Sequence, residues 1–174
     1  MKKQKGFSLV ELLIVVATIV VIASIAIPNF LRAKMAANES SAGASLRTIV
    51  TSSAQYSSTY GTGYPAALAN LGPPGGGCAG NAAVAATACL IDPVLATGAK
   101  SGYTFVMVPN SGAGTTLSPF TGFEVSANPV SVGNTGQRSF CVDQTGVIHF
   151  DLTGALMGTG VGACSALPVN QVLQ

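Results

Sequence analysis

At 174 residues the chain is long enough for one modest domain and an additional element. Only 8% of its residues are charged, against about 25% in ordinary soluble domains, and mean hydropathy is +0.51; such a chain either carries a membrane segment or makes extensive contacts with copies of itself. The net charge of +2 is no nucleic-acid footprint, because Lys2, Lys3 and Lys5 supply it and the remainder is close to neutral.

Residues 1–6 are short, polar and basic. An apolar run follows from Phe7 to Ile27, interrupted only by Ser8, Glu11, Thr18 and Ser24. As a helix rising ~1.5 Å per residue it spans about 30 Å, the thickness of a hydrocarbon core. The lysines before it should stay in the cytoplasm and send the remainder of the chain outward. An ordinary secretory signal shares the basic start, and small residues recur between Ala33 and Ala37. Its apolar core is normally shorter, however, and it gains nothing from Glu11. Placed near the middle of a membrane helix, that charge costs ~2.5–3.5 kcal/mol on insertion scales. It makes sense if a cation meets it. A cut between Gly6 and Phe7 would free an α-amino group one helical turn from Glu11. A neighbouring copy, displaced along the axis, could set its own Phe7 amine against this carboxylate in low dielectric. The helix macrodipole favours an anion there in any case.

The segment Lys5-Gly6-Phe7-Ser8-Leu9-Val10-Glu11-Leu12, continuing through Pro28 into Asn29-Phe30-Leu31-Arg32-Ala33, resembles the processing site of type IV prepilins and pseudopilins. The resemblance implies cleavage after Gly6 by a membrane aspartyl prepilin peptidase and N-methylation of Phe7 by the same enzyme. It implies that Glu11 guides methylation and registry between subunits. Many relatives have a glycine within the apolar run where this chain has Val20. Valine is still a poorer helix former than leucine or alanine, so local melting there is less assured.

Pro28 lies inside the helical pattern, where its missing N–H and its clash with the Ser24 carbonyl predict a kink. From Asn29 to about Ser58 the chain turns amphipathic. Leu31, Met35, Ala42, Leu46, Ile49, Ser53, Tyr56 and Tyr60 recur at helical spacing, with Arg32, Lys34, Glu39 and Arg47 on other faces. One long bent helix is expected, its first half in the membrane or a filament core, its second half packed on a head. Tyr56, Tyr60 and Tyr64 are expected to cover the end of the sheet rather than to form an aromatic path, since Gly61 and Gly63 should end the helix. Asn38-Glu39-Ser40 matches a glycosylation sequon, but it falls on a predicted helix.

Residues 72–80 are rich in Gly and Pro and read as a loop. Strand-like runs cover Tyr103–Pro109, Gly122–Asn128, Arg138–Asp143 and Val147–Asp151, the last two linked by the turn Gln144-Thr145-Gly146. The expected fold class is α+β, a long amino-terminal helix packed on a small antiparallel sheet. Residues 1–6 would be the leader, 7–28 the membrane or filament-core helix, 29–60 its amphipathic continuation, and 61–174 the head. The segment Arg138–Asp143 also resembles, more weakly, the sheet region of small pilins. Four cysteines, Cys78, Cys89, Cys141 and Cys164, suggest disulfides in an exported domain. They allow three pairings. Cys78–Cys89 with Cys141–Cys164 is preferred, stapling a loop and the tail. A zinc site is the rival, but no C-x-x-C pair is present.

No nucleophile elbow, P-loop or dinucleotide fingerprint occurs, and Gly75-Gly76-Gly77 lacks the strand–helix context of a phosphate cradle. His149, the only histidine, alternates with apolar residues on a predicted strand. Asp143 and Asp151 could approach across a hairpin, but two carboxylates fall short of the six to eight oxygens Ca²⁺ takes. The reading is therefore a structural protein with no catalytic residues, cofactor or metal. As the resemblance implies, it would be a type IV pilus subunit, held in the inner membrane as a precursor and displayed on the cell surface as a homo-oligomeric filament. Its partners would be the prepilin peptidase, an assembly ATPase, an inner-membrane platform protein and a secretin. A pseudopilin of a type II secretion system would share everything up to about Phe30; the disulfide candidates and the sparse acidic cluster favour a pilus. A membrane-anchored exported enzyme or binding domain would need pocket chemistry that the sequence does not display.

Overall fold

The computed structural model describes residues 7–75, 77–79, 82–157, 162–164, 166 and 172–173. One helix, α1 (Leu9–Tyr60), runs for 52 residues. It is shared between two compact units, residues 1–34 and 35–174.

In the first unit the helix buries almost nothing. Its most apolar 18-residue window has a mean hydropathy of 2.9 and no buried residue. Its polar interruptions fold back on their own backbone. Thr18 Oγ1 donates to the Val15 carbonyl at 2.8 Å, and Ser24 Oγ donates to the Val21 carbonyl at 2.7 Å. Hydroxyls satisfied in this way need no water, as a lipid environment requires. The helix continues through Pro28, which has no N–H to offer the Ser24 carbonyl.

In the second unit the same helix has an inward face. Glu39, Ala42, Gly43, Ser45, Leu46, Ile49, Ser52, Ser53 and Tyr56 are buried, at the three- and four-residue spacing of one helical stripe. Gly61, at φ +67°, ends the helix, and its N–H donates to the Ser57 carbonyl at 3.2 Å. A left-handed residue just past the last turn is the glycine-favouring way to close a helix. Two single turns follow, α2 (Leu68–Leu71) and α3 (Pro93–Ala96). Asp92 caps α3 by accepting the Leu95 N–H at 2.9 Å and also holds Lys100 at 2.8 Å.

The sheet has five strands, β1 (Ala99–Lys100), β2 (Tyr103–Pro109), β3 (Phe123–Pro129), β4 (Ser139–Asp143) and β5 (Ile148–Asp151). Each pairs antiparallel with the next in chain order. β2 to β5 fall within a residue of the predicted runs. β1, α2 and α3 were not foreseen, being too short to show a period. The predicted turn is present: the Gly146 N–H donates to the Asp143 carbonyl at 3.0 Å.

Period-two alternation places Tyr103, Phe105 and Met107 of β2, Phe123, Val125 and Ala127 of β3, Phe140 and Val142 of β4, and Ile148 of β5 in one buried cluster with Ala42, Leu46, Ile49 and Tyr56 of α1. Fully burying a side chain such as Leu46 or Phe123 contributes ~1.5–3 kcal/mol. The opposite face is polar, yet Glu124, Ser126, Ser139, Asp143 and His149 are buried there as well. Described residues near the carboxyl terminus are tied to the sheet. Met157 N–H donates to Asn128 Oδ1 at 3.1 Å, Leu173 N–H donates to the Ile148 carbonyl at 2.8 Å, and Cys141 is bonded to Cys164.

Candidate functional site

The chemistry singled out in the sequence lies at the start of α1. Gly6 and the lysines before it fall outside the described residues. Phe7 is 83% exposed, and Ser8 precedes the first helical residue. Glu11 sits in the first turn, not mid-helix, and its Oε2 accepts the Ser8 N–H at 2.9 Å. This is half of a capping box: the acid at the third helical position reaches back to satisfy one of the helix's orphan amides. The spacing Ser8-Leu9-Val10-Glu11 is its signature, and it could have been read from the sequence. The first-turn position also lowers the cost assigned to this charge, because insertion penalties fall steeply away from the bilayer centre. A carboxylate already turned toward the helix start stands close to where a freed Phe7 amine would be.

The head's own ionic site was not anticipated. Glu39 was expected on a face away from the sheet. Instead it is buried, and it ties α1 to the two residues just before β4. Its Oε1 accepts the Gln137 N–H at 2.8 Å and the Arg138 N–H at 3.2 Å, while Oε2 accepts Arg138 Nε at 2.7 Å. Burial pushes the Glu39 carboxyl upward, but these donors together outweigh it and hold the group below the usual carboxylate value. The Arg138 guanidinium also lies 5.6 Å from the ring centres of Phe140 and Phe150. Tyr103 Oη donates to the Arg138 carbonyl at 2.7 Å, and burial pushes this phenol well above its ordinary range. Gly136 must lack a side chain here, since a Cβ would overlap the Tyr103 hydroxyl. Beside this cluster, Asn38 Nδ2 donates to the Thr135 carbonyl at 2.7 Å, so the sequon amide is already engaged.

The remaining sequence candidates resolve as structure. Disulfides join Cys78 to Cys89 and Cys141 to Cys164, the preferred pairing. Tyr56 and Tyr60 have ring centroids 4.8 Å apart, while Tyr64 packs on Phe123 at 5.0 Å, so the tyrosines cover the sheet's end. Asp143 and Asp151 do not converge. Asp143 pairs with Glu124 at the turn end of the β4–β5 hairpin, and Asp151 pairs with Ser139 at the other end. Each instead closes its own turn in an Asp-x-Thr-Gly repeat, accepting from the Thr145 or Thr153 N–H and hydroxyl. Among the described residues no group of three or more His, Cys, Asp or Glu converges as a metal site. His149 is buried opposite Cys141, and its Nδ1 has no hydrogen-bond partner among the described residues. Glu124, also missed, is buried and accepts the N–H groups of Gly162 and Cys164, pinning the tail beside its disulfide.

Residues 1–27 match the family model described as the prokaryotic N-terminal methylation motif. The chain has a prepilin-type amino terminus. It is also similar to the type IV wide pilus major component PilA4 of Thermus thermophilus, with 41% identity over 75 residues. That alignment covers 41% of this chain and 56% of the relative, so the chain spans little more than half of the protein it matches. No solved structure is significantly similar to it. The prepilin-type segment thus coincides with the unburied part of α1, and the head that follows is α+β with two disulfides.

Proposed function

We propose that this prepilin-type chain is a structural subunit of a type IV pilus. The observation that carries the reading is the exposed apolar stretch of α1, which is long enough to cross a membrane and has one acid in its first turn, followed by a disulfide-stapled head. Such a stretch is not stable in water, and two environments suit it: lipid before assembly and the same stretch of other copies afterwards. The leader 1–6 would be removed by a prepilin peptidase between Gly6 and Phe7, with N-methylation at Phe7. Residues 7–28 would hold the precursor in the inner membrane with the head outside the cytoplasm. An assembly ATPase and a platform protein would then lift the subunit into a filament that leaves through a secretin.

Because lipid is about as apolar as protein, transfer from bilayer to filament gains little from burial itself, and packing and charge must supply specificity. Glu11 is suited to that. In the lone subunit its carboxylate rests on the Ser8 amide. In the filament it would meet the Phe7 ammonium of a neighbour, a pairing of full opposite charges in low dielectric. Pro28 would shape the helix where membrane segment gives way to head. Electron microscopy of sheared surface fibres, with mass spectrometry of their subunit, tests this directly. The subunit should begin at methylated Phe7 and carry both disulfides. A mature chain beginning elsewhere, or one recovered only as a dissolved monomer, counts against the reading.

A further inference from the structure

The second unit, residues 35–174, has only eight acidic or basic side chains, and six of them are committed to its own fold. Glu39 holds Arg138, and Asp92 holds Lys100. Glu124 is buried on the amides of Gly162 and Cys164, and Asp143 is buried on Thr145. Two are left. Arg47 is exposed on α1, and its side chain makes no ion pair or hydrogen bond among the described residues. Asp151 is half-buried, and its bonds come from uncharged donors of its own turn, first the Thr153 hydroxyl and N–H. No cation faces it.

These two do not serve each other within one chain. Asp151 lies directly opposite Ser139, whereas the adjacent pair Phe140 and Phe150 packs into the core with α1. Alternation therefore puts Asp151 on the face of the sheet away from α1, and Arg47 lies on the other side. Their surroundings fit one another. Arg47 lines a groove of about 270 Å³ together with Ser40, Gly43, Ala44 and Arg138. The small residues there leave room for a bulky side chain, since a cavity of about 150 Å³ already accepts a benzene ring. Beside Asp151, on the turn that follows β5, Leu152 is 61% exposed. We propose that Asp151 of one copy pairs with Arg47 of the next, with Leu152 of the same turn seated in that groove. This rests on the pilus-subunit reading above and gives it a contact between heads. An exposed ion pair adds little affinity but sets orientation and register. A cation on one side and its anion on the other also make the contact heterologous, so that it repeats from copy to copy instead of closing a two-fold dimer.

Cysteine cross-linking reads the contact directly. The full-length chain carrying both R47C and D151C is expressed in its own cells, and sheared fibres are treated with a short bismaleimide, which leaves the two native disulfides closed. Because the two positions meet between different copies, the double variant should give a ladder of dimers, trimers and longer chains on a gel. Either single variant should stay monomeric. Dimers from R47C or D151C alone overturn the head-to-tail arrangement, and fibres of the double variant that yield no ladder overturn the contact. Fibre yield gives a second reading that needs no cysteine. R47E sets like charges against each other and should lower the yield severalfold. D151N keeps an oxygen for Thr153 while removing the repulsion, so R47E/D151N should recover most of the loss. A wild-type yield from R47E, or no recovery in R47E/D151N, overturns the contact. Wild-type cells that bear no fibres overturn the pilus reading with it, whereas fibres without a ladder overturn the contact alone.

Discussion

Glu39→Gln tests whether α1 is fastened to the sheet by charge or only by apolar packing. Glutamine keeps one oxygen for the Gln137 and Arg138 amides but loses the charge facing Arg138 Nε. Hydrogen bonds to charged groups contribute ~1.5–3 kcal/mol. The Arg138 side chain is 35% exposed, so solvent screens part of the ionic share, and a loss of about 1–2 kcal/mol at neutral pH is expected. For a chain of this size that lowers Tm by roughly 2–8 °C. The sign with pH follows from the depressed carboxyl. Its stabilisation is complete above its unfolded value near 4.5 and is lost as pH falls through the lower folded value. Asp92 and Asp151 are also held low, Asp92 first by Lys100 and Asp151 first by the Thr153 hydroxyl, but they titrate alike in wild type and variant and cancel in the difference. Thermal unfolding of the full chain in detergent, followed by circular dichroism, should show a Tm gap at neutral pH that narrows once the pH falls below about 4.5. Equal Tm values at pH 7, or a gap that persists in acid, would refute the ionic account of this contact.

Glu11→Val and Glu11→Gln should both leave membrane insertion intact, measured by carbonate extraction, while reducing surface filament yield. Glutamine can still accept the Ser8 amide, so normal filaments from that variant would reduce Glu11 to a helix cap. Gly6→Arg should leave only full-length precursor on a gel, and normal trimming would remove the cleavage-site assignment. Cys141→Ser, which opens a link across 23 residues, should cost about 3 kcal/mol by the loop-entropy relation. Reduction of the wild type, which opens Cys78–Cys89 as well, should lower the denaturant midpoint further than Cys141→Ser does.

What the sequence disclosed depended on how far each signal reaches along the chain. The apolar run, the four longer strands and the Gly61 helix stop are local patterns, and each lies within a residue or two of its expected place. Glu39 was misread because single-chain periodicity places a carboxylate outside unless a partner is known, and its partner is 99 positions away. Glu124 was missed for the same reason, its donors being two backbone amides near the carboxyl terminus. Whether Asp143 and Asp151 approach each other could not be read from the hairpin without its register. Eight residues apart, they bracket the hairpin and do not face each other. The first-turn cap at Glu11 was legible from Ser8 and its spacing, but concern with the cost of a buried charge obscured the simpler local role.

The two parts of α1 show why hydropathy finds one function and hides the other. Through Lys34 the large apolar side chains Ile14, Val21, Ile25 and Phe30 point outward, and a hydropathy window registers them at once. Beyond Met35 the inward stripe includes Ala42, Gly43, Ser45, Ser52 and Ser53, small residues that give a hydropathy window little signal. Small size is what that face contributes. Gly43 lets Leu173 approach so closely that a Cβ there would stand 3.3 Å from its methyl, and Ser52 Oγ reaches the Leu90 carbonyl at 3.2 Å. A helix whose first half is already strongly apolar on its outside cannot also present a wide apolar stripe further along without inviting mispairing. Small and hydrogen-bonded residues, with Leu46, Ile49 and Tyr56 as the bulky exceptions, fasten this part of the helix while the strongly apolar surface lies before Met35. The Ala- and Ser-rich stretch of α1 beyond Met35 thus keeps its inward face weakly apolar without giving up packing.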